Sequence, residues 1–123
     1  MPELRIELDF DLVRQIVLRL EEVWESDSPS RPTDYKFDGY RVEIVSHNIQ
    51  KLFDAGIVVA QAMQNWSPDQ LKSWPTGFTT KGWKFLVAAK NDRVWDEAVK
   101  TVVAQGEITN LKALKRILLA GTP

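Results

Sequence analysis

The chain has 123 residues, of which 44% are apolar and 27% charged, with a net charge of −1 and no cysteine. That balance belongs to one folded domain rather than to a disordered chain. It excludes disulfides, thiol catalysis and thiolate metal sites, and no apolar run approaches the ~18 residues of a membrane span. The opening Met1-Pro2-Glu3-Leu4-Arg5 is not followed by the apolar stretch of a signal peptide, so a cytoplasmic location is expected. The charge is unevenly spread: residues 1–69 hold seven basic and 13 acidic side chains, residues 70–123 nine and four. Between Gln70 and Asn91 the only charges are Lys72, Lys81, Lys84 and Lys90.

Leu4, Ile6, Leu8 and Phe10 alternate with charged residues, which predicts a short half-buried strand. Asp9 or Asp11 then caps a helix to about Trp24, with Leu12, Val13, Ile16, Val17, Leu20, Val23 and Trp24 at helical spacing. Ser26 to Asp34 has loop composition, and Tyr35 to Tyr40 reads as a short strand ending at Asp38-Gly39. A second helix is predicted from Arg41 to Ala55, with Val42, Val45, Ile49, Leu52 and Phe53 inward and Glu43, His47, Gln50, Lys51 and Asp54 outward. Gly56 stops it. Ile57 to Ala60 is a strand, residues 61–75 a loop holding Trp66 and Trp74, and Gly77 to Thr80 a return strand, together a wing-like hairpin with a long tip. Thr79 or Thr80 caps a third helix with Trp83, Phe85, Leu86, Ala88 and Ala89. Asp92 caps a fourth with Trp95, Ala98, Val99, Val102 and Val103 inward, broken by Gly106. Thr109 or Asn110 starts the last, with Leu111, Leu114, Ile117, Leu118 and Leu119 opposite Lys112, Lys115 and Arg116.

Little here can do catalytic chemistry. His47 is the only histidine, with no Glu-x-x-His or His-x-x-x-His spacing around it and no Gly-x-Ser-x-Gly elbow elsewhere. The six glycines stand alone, so no phosphate loop forms. Glu21-Glu22 and Asp96-Glu97 fall on solvated helix faces. A non-enzymatic protein without cofactor or metal is therefore expected.

Three blocks carry a family resemblance. They are Asp11-Leu12-Val13-Arg14-Gln15-Ile16, the run Val45 to Ile57 after Gly39-Tyr40, and Phe78 to Leu86 followed by Asn91-Asp92-Arg93-Val94-Trp95. Over about residues 10–100 the chain resembles the bacterial and phage proteins grouped as domain of unknown function 2513. Where that family has a Tyr-His pair this chain has His47-Asn48, and where it has a later histidine this chain has Trp83. The resemblance implies a winged-helix-like fold and a phage or prophage setting, and it supplies no activity.

The expected fold class is α+β. Residues 1–105 form a winged-helix-like domain (helix, strand, helix, two-stranded wing, helix), and residues 106–123 form a C-terminal helical extension. The motif is abbreviated, because a loop and strand replace the short helix that normally precedes the recognition helix. The leading functional expectation is a DNA-associated regulator: Arg41, His47, Gln50 and Lys51 approach a groove of double-stranded DNA, while Lys72, Lys81 and Lys84 meet phosphates. Glu43 and Asp54 share the helix face and repel phosphate, and the reading requires that face and the wing to be basic. The alternative is a protein-interaction module that binds a host or phage protein through the same scaffold. The last helix either completes the domain's own core or pairs two copies through Leu111, Leu114 and Leu118.

Overall fold

The structure is a computed structural model that describes residues 9–26, 31, 34–62, 73–106 and 110–120. The strand expected at Leu4 to Leu8, most of the loop after Ser26, Trp66 and Lys72 of the expected wing loop, and Thr109 lie outside the described residues. Among the described residues five helices and a two-stranded antiparallel sheet give an α+β, winged-helix-like arrangement with a C-terminal helix.

α1 (Phe10–Glu25) starts where Asp9 accepts a hydrogen bond from the Leu12 amide at 3.1 Å. This satisfies one of the donors that a helix start leaves free. Leu12, Val13, Ile16, Val17 and Leu20 form its buried stripe, while Trp24 at its end stays exposed. α2 (Val42–Asp54) buries Val45, Asn48, Ile49 and Leu52. Phe53, expected inward, is 48% exposed. Asn48 is the one fully buried polar side chain among the described residues.

Among the described residues between these helices no strand forms, which corrects the expectation for Tyr35 to Tyr40. The alternation there is real, with Tyr35 buried and Phe37 packed against the core, but no neighbouring strand supplies a ladder. The segment is held by side chains instead. Arg19 donates to the Asp34 carbonyl at 2.8 Å and lies 5.3 Å from the Phe37 ring centre. Tyr35 donates to the Pro75 carbonyl, and the chain turns at Gly39 with φ +85°.

β1 (Val58–Ala62) and β2 (Ser73–Phe78) pair from Val58↔Phe78 to Ala62↔Ser73, with an irregularity between Val59 and Ala60. The return strand thus begins four residues before the expected Gly77 and takes in Trp74 and Pro75. In a two-stranded ribbon every strand is an edge, and a proline beside a bulge is tolerated there. α3 (Thr80–Ala89) is capped by Thr79, which accepts from the Gly82 amide at 2.9 Å. α4 (Asp92–Ala104) is capped by Asn91 rather than by Asp92, which is the first helical residue. It buries Trp95, Ala98 and Val102 and leaves Val103 half exposed. α5 (Leu111–Ala120) begins after Asn110, whose side chain accepts from the Ala113 amide at 3.0 Å.

All five helices feed one apolar core. α5 packs on α3 and α4, and Leu111, Leu114 and Leu118 are at most 4% exposed. In the structure these three leucines pack into the chain's own core. Arg14 ties α1 to the corner between α3 and α4: it donates to the Ala89 carbonyl at 2.7 Å, pairs with Asp92, and lies 5.8 Å from the Trp95 ring centre.

Asn48 fixes where α1 begins relative to α2. Its oxygen accepts from the Asp9 amide at 2.9 Å and its amide donates to the Ile44 carbonyl at 2.8 Å, while the Tyr40 hydroxyl donates to the Asp9 carboxylate at 3.1 Å. Burial and the Asp9 charge raise the Tyr40 pKa and keep it a donor. Asn48→Ala leaves a backbone donor stranded beside a small cavity. It is expected to lower unfolding free energy by about 2–3 kcal/mol, read from urea denaturation.

Candidate anion-binding groove

The residues proposed on α2 do not assemble into a basic face. Arg41 is exposed with Glu43 4.0 Å away, and Gln50 donates to Asp54 at 3.0 Å. Burial and the nearby Lys51 hold His47 below its ordinary pKa, with Asp54 opposing, so the ring is neutral at neutral pH. Arg41, Glu43, Lys51 and Asp54 therefore leave this face neutral. The basic face expected on α2 is therefore not formed by these side chains.

The cations gather elsewhere. Lys81 and Lys84 sit on the first turns of α3, and Lys112, Lys115 and Arg116 sit on α5, facing each other across a groove of about 540 Å³. Ala55, just past the end of α2, and Leu119 complete the wall. The geometry follows from local sequence. Helical spacing places Lys115 beside the buried leucine stripe, with Lys112 and Arg116 further round the same flank, so docking the leucines brings the three cations to the α3 side. Lys115 is anchored, because its ammonium donates to the Ala55 carbonyl and closes the C-terminal end of α2. Burial, then Lys81 and Lys112, push its pKa below the ordinary lysine value. Beside the groove a smaller concavity of about 220 Å³ shares Ala55 and Lys112 and adds Lys51 and Asp54.

What sets this groove apart is that five cations meet in it with no carboxylate among its lining residues. Arg14, Arg19, Arg41, Lys90 and Arg93 each have a carboxylate within 4.0 Å, whereas among the described residues none of the five groove cations does. Of the expected contact residues, the structure brings Lys81 and Lys84 together, sets Lys51 at the margin, and leaves Arg41, His47 and Gln50 on the neutral helix. Lys112, Lys115 and Arg116 were visible in the sequence as a cationic stripe, but nothing local showed which helix they would face.

A second surface feature is aromatic. Trp24 from α1 meets Trp83 from α3 edge-on at 5.7 Å between ring centres, and Phe78 lies 4.7 Å from Trp83. Trp24 is 59% and Trp83 37% exposed, with Val87 bare one turn further along α3. Among the described residues no group of three or more metal-ligating side chains occurs, and no helix is long and apolar enough to cross a membrane.

No curated protein and no solved structure matches the chain. The family described as Hypothetical protein (DUF2513) matches over residues 7–108, which includes α1 to α4 and the hairpin and stops short of α5. On that match the chain belongs to the family of domain of unknown function 2513.

Proposed function

We propose that this chain is a non-enzymatic, DNA-associated regulator of the phage or prophage type, working in the cytoplasm, and that it holds the sugar-phosphate backbone in the α3–α5 groove. The observation that carries the reading is the set of five cations with no carboxylate among the lining residues. Unpaired cations crowded on two facing helices raise each other's energy, and a row of phosphates lowers it. The α2 face that a groove-reading helix required to be basic is neutral, so the reading moves from α2 to the groove and from base reading to backbone holding, and affinity should depend weakly on DNA sequence.

The test is fluorescence anisotropy of a labelled duplex across a salt series. With about two phosphates neutralised in the groove, affinity is expected to fall roughly tenfold between about 50 and 200 mM salt. Binding that ignores salt, or no binding at the lowest salt, overturns the reading. A protein-interaction module is the second reading, favoured by the exposed Trp24, Trp83 and Val87. It predicts protein capture that survives nuclease treatment and is lost in Trp83→Ala.

A further inference from the structure

We propose that the α3–α5 groove is a site for a compact polyphosphate, such as the triphosphate of a nucleotide, which competes with the nucleic-acid backbone for the same cations. This rests on the reading of the groove as an anion site and names a ligand class that would regulate it.

The argument is one of charge density. A cavity of about 540 Å³ falls within the roughly 300–1,000 Å³ of small-molecule sites, and a cube of that volume is about 8 Å on a side. One strand of duplex DNA carries a phosphate per about 3.4 Å of axis, so about two of its charges face such a groove. That leaves most of the five cations unmatched. A triphosphate concentrates roughly four negative charges in the same space, about two on its terminal phosphate and one on each of the others.

Placement of the cations agrees with this. They approach from two walls, Lys81 and Lys84 from α3 and Lys112, Lys115 and Arg116 from α5, which suits an anion they surround better than a ribbon crossing them. Lys115 is half-buried, and its positive charge is already disfavoured by Lys81 and Lys112, a repulsion that an enclosed anion would relieve. Arg116 offers a planar pair of donors to phosphate oxygens. Ala55 and Leu119 give an apolar wall for the uncharged part of a nucleotide.

Calorimetric titration of the full chain with adenosine triphosphate, inorganic triphosphate and adenosine monophosphate tests the proposal, alongside duplex anisotropy with and without triphosphate. Both triphosphates are expected to bind, the monophosphate at least about tenfold more weakly, and triphosphate is expected to displace duplex. Lys112→Gln with Arg116→Gln should weaken triphosphate binding about tenfold, while Lys100→Gln on α4 leaves it unchanged. Circular dichroism confirms that each variant is folded. Equal affinity for mono- and triphosphate overturns the inference. Salt-dependent duplex binding without triphosphate binding overturns it too, yet leaves the DNA-associated reading standing. Triphosphate binding without duplex binding supports the polyphosphate site but removes both the competition and that reading. If neither ligand binds, both fall.

Discussion

Gly82→Ala is expected to lower unfolding free energy by at least about 3 kcal/mol, although the same change in an open helix stabilises by about 1 kcal/mol. The sign is set by one close approach. A Cβ at Gly82 would stand 1.8 Å from the Ile57 carbonyl oxygen and 2.9 Å from its carbon. Both are backbone atoms, so no side chain can swing aside. Relief requires α3 to lift away from residues 56–57. That movement breaks the bond from the Thr79 amide to the Ile57 carbonyl, 3.1 Å long, and the bond from the Thr79 hydroxyl to the Gly56 carbonyl. Because Lys81 and Lys84 flank Gly82, the same movement displaces one wall of the groove. Gly77→Ala is the control, since a Cβ there meets nothing within 4 Å and should change stability by no more than about 0.5 kcal/mol. Urea denaturation of the two variants reads the difference. An alanine at position 82 that leaves stability unchanged would mean that α3 does not rest on the Ile57 carbonyl.

Helix existence was legible wherever apolar residues repeat at helical spacing and a capping side chain precedes them. α1 after Asp9 and α3 after Thr79 both follow that rule. What local pattern cannot carry is the identity of a partner. Tyr35 and Phe37 alternate as a strand would, yet a strand exists only when another chain segment offers a ladder. Asn48 reads as a polar residue on a helix face, and its burial depends on the Asp9 amide, 39 residues earlier, arriving beside it. Proline at position 75 reads as punctuation, but a ribbon with two edges accommodates it. The candidate site shows the same division. Lys81 and Lys84 were singled out because acidic residues are absent around them, a signal available in sequence. Their partners on α5 were invisible as partners, since three leucines spaced along a helix are equally suited to the chain's own core and to a second copy.

Lys115 joins stability to the groove. It closes the C-terminal end of α2 through the Ala55 carbonyl and also lines the cavity. A substitution there would mix lost binding with a loosened helix end, so the groove is better tested at exposed cations that make no such bond. Lys84 and Arg116 fit, one on each wall. Reversing both charges, Lys84→Glu with Arg116→Glu, turns two attractions into two repulsions. It is expected to weaken duplex binding about a hundredfold at low salt and to flatten the salt dependence. The matching test on α2 is His47→Ala with Gln50→Ala and Lys51→Ala. One of those side chains is a neutral ring and another is bonded to Asp54, so only the Lys51 charge is lost and a decrease of less than about fivefold is expected. Anisotropy titrations of the two variants against the same duplex decide between the surfaces. If the α2 variant loses the larger share, the backbone is held at the recognition-helix position after all, and the unpaired cations between α3 and α5 serve some other anion.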